Sequence, residues 1–129
     1  MKIDHIALYA DNLALLRDFY MKYFNVECGD RYSNSSKQFT SYFLTFDDGA
    51  TRIELMNIPD LISHEVRGNM RGLAHFAISV GSKTDVDALT ARLRADGYQI
   101  ISDPRTTGDG YYESVISDPE GNRIELTTY

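Results

Sequence analysis

The chain has one cysteine, Cys28, so no disulfide can close within it and no thiolate cluster can hold zinc. The expectation for Cys28 is a small, half-buried thiol at the end of a strand. No apolar run approaches the ~20 residues needed to cross a bilayer. The start Met1-Lys2-Ile3-Asp4 enters a strand pattern without the apolar stretch of a signal peptide, which leads us to expect a cytoplasmic protein with no membrane partner. Basic clusters are missing as well. With a net charge of −6 and a pI near 4.9, the chain lacks the electrostatic footprint of a nucleic-acid binder.

What is present is ordinary globular material, 129 residues with 43% hydrophobic and 25% charged side chains, enough for one domain with a real core. Within it the tetrapeptide Arg-Ile-Glu-Leu occurs twice, at Arg52 to Leu55 and at Arg123 to Leu126. Each copy follows a His-x-Ala segment, His5-Ile6-Ala7 or His75-Phe76-Ala77, by nearly the same interval. Such recurrence marks a duplicated unit. We therefore divide the single domain 1–129 into module one (1–57), a linker (58–71) and module two (72–129).

Lys2 to Ala10 alternates as a half-buried strand, and Asp11 or Asn12 then caps a helix whose apolar stripe is Leu13, Leu16, Phe19, Tyr20, Tyr23 and Phe24. Strands are expected at Val26 to Tyr32, Phe39 to Phe46 and Thr51 to Met56, separated by the polar loop Ser33 to Lys37 and the turn Asp47-Asp48-Gly49. Module two retraces this order. Leu73 to Val80 is a strand, Ser82-Lys83-Thr84-Asp85 reads as a capping box, Val86, Leu89 and Leu93 form the helix stripe, and Gly97 ends it. Tyr98 to Ser102, Tyr111 to Ser117 and Arg123 to Thr128 complete it, with Asp118-Pro119-Glu120-Gly121 as the last turn. The linker carries Pro59 and Gly68, with a short helical turn expected around Leu61 to Val66 and His64 exposed. The fold class is α+β, two tandem β-α-β-β-β modules.

Alternation assigns the faces. Ile6, Leu8, Ile53 and Leu55 belong to the helix-packed face, which sends His5 and Glu54 to the other one; Phe76, Ile78, Ile124 and Leu126 do the same for His75 and Glu125. Taken singly, each of these four would be read as a satisfied polar residue or half of a surface ion pair. Four of them at matching places in a repeat point instead to a metal site. Two carboxylates in one cavity repel and lose solvation, and a divalent cation removes both costs. Two neutral imidazoles and two carboxylates balance a 2+ charge, and such N2O2 ligation suits one Ni, Co, Mn or Fe(II) ion, or Zn with expanded coordination.

The β-α-β-β-β repeat, the two His-x-Ala segments, and Asp118-Pro119-Glu120-Gly121 leading into Ile124-Glu125-Leu126 resemble the vicinal oxygen chelate superfamily over essentially the whole chain. The order His, Glu, His, Glu is most similar to that of glyoxalase I, lactoylglutathione lyase. The resemblance implies that the modules form a curled, mixed eight-stranded sheet around a metal cavity, that His5, Glu54, His75 and Glu125 are the ligands, and that the protein is a homodimer. It implies lyase chemistry on an α-oxo or hemithioacetal substrate through an enediolate, with Glu125 as catalytic base and Glu54 as its counterpart. Glutathione-using members carry Arg four residues after the first His and Asn four residues after the first ligand Glu. Tyr9 and Ile58 hold those places here, with Asn57 one position before, so Tyr9 and Asn57 become substrate-contact candidates. Arg52, on the face of Glu54, and Tyr112, after the flexible run 106–110 and beside Tyr111 and Glu113, join them. The rival implications are a thiol transferase or dioxygenase using His5, His75 and Glu125 alone, and a metal-free ligand-sequestering protein like the bleomycin resistance members.

Overall fold

The structure is a computed structural model that describes residues 1–63 and 69–129. It falls into two compact units, Met1–Ser63 and His64–Tyr129, each an α+β layer of one helix on one mixed sheet. Among the described residues there are two helices and nine strands, and no helix is long and apolar enough to cross a membrane.

Unit one runs β1 (Ile6–Tyr9), α1 (Leu13–Tyr23), β2 (Val26–Cys28), β3 (Tyr32–Asn34), β4 (Phe39–Phe46) and β5 (Arg52–Asn57). Asn12 caps α1 by accepting from the Leu15 amide, which satisfies one of the free N–H groups of the first turn. Leu16, Phe19, Tyr20 and Tyr23 recur on one side of the helix and are buried; they pack toward β2, β4 and β5, where Leu44, Ile53 and Leu55 are also buried. Burying a side chain of that size contributes about 1.5–3 kcal/mol. The strand order is β1-β5-β4-β2, with β3 also on β4.

Unit two runs β6 (Phe76–Gly81), α2 (Lys83–Ala95), β7 (Ile100–Thr106), β8 (Tyr112–Ser117) and β9 (Arg123–Thr128), with strand order β6-β9-β8-β7. The capping box expected of Ser82 and Asp85 is formed. At the other end Gly97 has φ +89, and its amide and that of Tyr98 return to the carbonyls of Arg94 and Leu93. This double return is the Schellman closure, which a left-handed residue makes possible. Val86, Thr90 and Leu93 are the buried helix positions. Thr90 takes a place the apolar stripe did not predict because its hydroxyl is satisfied there, donating to the Val86 carbonyl and accepting from Ser114 Oγ, both at 2.7 Å.

Three boundaries differ from expectation. The predicted strand Val26 to Tyr32 is two strands: Cys28 pairs with Leu44 and Tyr32 with Ser41, so three residues stand opposite two, and the extra one breaks the ladder. β7 begins two residues later than expected because the Tyr98 amide is spent on the helix end, and it continues through Pro104, which an edge strand tolerates. Both histidines stand one residue before their strands. The strands lie in two mixed sheets, one in each unit. Leu61 to Ser63 are not helical; the rest of the expected linker turn, with His64, lies outside the described residues. Cys28 is half-buried at the end of β2, its thiol donating to the Gly29 carbonyl, and burial pushes its pKa up.

The core assignment has a direct check. Leu55→Ala is expected to lower the unfolding free energy by roughly 2–5 kcal/mol, and Leu15→Ala, on the exposed side of α1, to change it by less than about 0.5 kcal/mol. Urea denaturation of the two variants beside the parent chain measures both.

Candidate metal centre

The parallel pairing of β1 with β5 sets Ala7 opposite Glu54. His5 is two residues before Ala7 and so projects from the same face, one diagonal step from Glu54. Alanine leaves the space between them open. His5 Nε2 stands 3.6 Å from Glu54 Oε2, and the imidazole meets the Phe43 ring edge-on, with centroids 5.2 Å apart. In unit two the same register sets Ala77 opposite Glu125, and His75 Nε2 stands 3.4 Å from Glu125 Oε2.

The glutamates are the sheltered members of both pairs, with side chains 16% and 18% exposed against 35% and 47% for the imidazoles. Donors that share one metal ion at ~2.1 Å lie about 3.0 Å apart at a right angle and about 3.4 Å apart at the tetrahedral angle. The 3.4 Å of the second pair matches the tetrahedral value, and the 3.6 Å of the first lies slightly beyond it. Among the described residues no group of three His, Cys, Asp or Glu side chains is placed to hold a metal ion. Each pair brings one imidazole nitrogen and one carboxylate oxygen together.

Around these pairs the two units differ. Asp4 Oδ2 accepts from His5 Nδ1 at 3.0 Å and also from Arg52, whose guanidinium lies over the Phe43 ring. The His5 imidazole, then the Arg52 guanidinium, hold the Asp4 carboxyl below its ordinary range. In unit two Ala74 stands where Asp4 stands in unit one, and the extra carboxylate comes from β8. Val115 pairs with Glu125, so Glu113, two residues earlier, shares that face and comes within hydrogen-bonding reach of Glu125. Glu113 is buried and accepts from Arg105 Nη2 at 3.2 Å. Desolvation, and after it the neighbouring Glu113 carboxylate, push the Glu125 pKa up.

The remaining candidates divide by face. Tyr9, half exposed, opposes Met56 on the side of Glu54, and Arg52 reaches that side through Asp4. Asn57 alternates with Met56 onto the helix side, where its amide donates to the Ala10 carbonyl at 2.8 Å and ties down the end of β1. Tyr112 likewise turns toward α2: its hydroxyl donates to Asp87 at 2.7 Å, and Lys83 Nζ sits over its ring. Alternation along β8 thus brings Glu113, and not Tyr112, to the face of Glu125. Asp4 and Arg105 escaped the sequence reading because only the strand register shows which groups they meet.

The chain matches the glyoxalase/bleomycin resistance protein/dioxygenase superfamily over residues 2–126. It belongs to that superfamily. An uncharacterized Bacillus subtilis protein, YqjT, is 38% identical over 58 residues, a stretch that covers 43% of this chain and 45% of YqjT. Among solved structures, a glyoxylase/bleomycin resistance protein/dioxygenase domain from Frankia superposes with a TM-score of 0.83 at 18% identity, covering 99% of this chain and 97% of that one. Glyoxalase I from Zea mays superposes with a TM-score of 0.81 at 20% identity; 99% of this chain is covered, and 44% of the maize chain. These likenesses extend the superfamily fold over both units.

The raised Glu125 pKa has a pH signature in the metal-free protein. A folded-state pKa above the unfolded one means that the folded protein binds more protons, so stability is lost as pH rises from the ordinary glutamate range through the folded value. Glu125→Gln removes the group that titrates. Metal-free Glu125→Gln is therefore expected to lose less stability than the parent chain as pH rises through that window, with the two curves parallel above it. Urea midpoints measured from pH 4 to 8 in the presence of a chelator show whether this is so.

Proposed function

We propose that the protein is a divalent-metal-dependent enzyme of glyoxalase I type, acting on a small α-oxo substrate or its hemithioacetal. The observation that carries this reading is the doubled His–Glu pair, with nitrogen and oxygen 3.6 Å and 3.4 Å apart, inside a superfamily that includes glyoxalase I. His5, Glu54, His75 and Glu125 would hold the ion. The reading requires the modules to pair, within one chain or across a homodimer, so that two half-sites serve one metal.

A divalent ion bound there supplies Lewis-acid polarisation of vicinal substrate oxygens. Glu125 acts as the base. Its carboxylate oxygen takes the carbon-bound proton next to the carbonyl, the electron pair left behind shifts toward the carbonyl oxygen, and Glu125 Oε returns the proton to the former carbonyl carbon while the hydroxyl proton of the hemithioacetal passes to the former carbonyl oxygen. No proton or electron is gained or lost overall. The shelter of the Glu125 side chain keeps water from competing for the abstracted proton. Glu54 and His5, backed by Asp4 and Arg52, keep their half-site in place while Glu125 moves its proton. Tyr9, on the same face as Glu54, is the side chain offered to the body of the substrate.

Elemental analysis of the purified protein, then stripping and reloading with Ni, Co, Mn, Fe or Zn while assaying methylglyoxal hemithioacetals of several thiols, tests this reading. One metal per four-ligand site is expected. Glu54→Gln and His75→Ala should lower metal content, and Glu125→Gln should reduce turnover by about 10²–10⁴-fold. Unchanged metal content in the first two variants would sink the ligand assignment. Stoichiometric metal without turnover of any thiol adduct would sink the glyoxalase reading and leave the metal site standing.

A further inference from the structure

Both half-sites carry the same cast of side chains, a histidine, a glutamate, an arginine and one extra carboxylate, but they connect them differently. In unit one the extra carboxylate, Asp4, is on the histidine. In unit two the extra carboxylate, Glu113, is beside the glutamate, and among the described residues the only ionic or hydrogen-bond partner of His75 is Glu125. Each extra carboxylate is held by its own arginine, Asp4 by Arg52 and Glu113 by Arg105. On the basis of the metal-site reading above, we propose that these two arginine–carboxylate pairs are positioning devices with different tasks: Asp4–Arg52 fixes His5 as the anchoring ligand, and Glu113–Arg105 serves Glu125 as the base.

The chemistry of each connection supports the division. A neutral imidazole has one N–H and one lone pair. With Asp4 accepting at Nδ1, the N–H is assigned there and the lone pair is left on Nε2, the atom that stands beside Glu54. Orienting contacts of this kind commonly add 10–100-fold to metal affinity. His75 has Ala74 in the place of Asp4 and receives no such help. Glu113 acts on a different atom. When Glu125 has taken a substrate proton, its O–H needs an acceptor inside a sheltered face. Glu113 is within reach, and Arg105 holds its charge there. Unit one offers no equivalent to Glu54, because the place of Glu113 is taken by Ser41, which opposes Met56 as Glu113 opposes Thr127.

The test is a Co(II) titration of the stripped full-length protein, followed by kcat and KM at saturating metal on whichever hemithioacetal the parent chain turns over. Asp4→Asn should weaken Co(II) binding roughly 10–100-fold, with the larger part of any lost kcat recovered as Co(II) is raised to saturation. Glu113→Gln should leave Co(II) affinity within about 3-fold and lower kcat at least 10-fold with little change in KM, a split that loss of packing alone would not produce. Arg52→Met and Arg105→Met, each removing only the supporting guanidinium, should reproduce the effect of their partners in smaller measure and guard against a variant that fails to fold. Equal losses of affinity in Asp4→Asn and Glu113→Gln, or no loss in either, would overturn the division while the metal site itself stands. Failure of the parent chain to bind Co(II) would overturn both.

Discussion

The register of two parallel strand pairs is the constraint on which the rest depends. β1 on β5 and β6 on β9 each set an alanine opposite a glutamate, with a histidine diagonal to it. Side chains alternate strictly across a sheet, so a slip of one residue would send the glutamate into the helix-packed core and bring Ile53 or Ile124 to the opposite face. Burying an unpaired carboxylate costs several kcal/mol, and exposing two core aliphatics forfeits about 1.5–3 kcal/mol apiece. The helix stripes of α1 and α2 therefore lock the His–Glu pairs without touching them. Packing on one face specifies chemistry on the other.

That coupling explains why so much was legible from the chain itself. The doubled Arg-Ile-Glu-Leu contains the core pair Ile and Leu and the candidate ligand Glu in adjacent positions, and alternation alone separates them. β4 and β9 fall where the pattern put them, as does the capping box of α2. The residues that escaped were those whose meaning depends on a partner from another strand. Asp4 is an unremarked acid until Arg52 and His5 are seen on either side of it. Tyr112 looked like a cavity residue from its place after a flexible run, yet its hydroxyl has a nearer partner in Asp87 on α2. β7 runs past the expected end at Ser102 and houses Pro104, because β7 is an edge and its register slips around that residue.

A carboxylate held close to a His–Glu pair is costly where it is not neutralised, and the two units meet that cost by different means. Asp4 is stabilised by an imidazole N–H and a guanidinium at the surface, where solvent screens what remains. Glu113 is buried and is held by Arg105 on the face of Glu125. An arginine–carboxylate pair thus stands beside the histidine in one half and beside the glutamate in the other.

On the reading proposed above, the duplicated module supplies two equivalent His–Glu pairs, and proton transfer would set them different tasks. One pair would hold its place while the carboxylate of the other carries a proton. Changing the ligands themselves would sacrifice the charge balance of two imidazoles and two carboxylates against a 2+ ion. Changing what stands behind them leaves that balance intact and still makes the halves unequal. The doubled Arg-Ile-Glu-Leu is the same in both halves, and the halves differ one layer out, in whether the extra carboxylate touches the histidine or the glutamate.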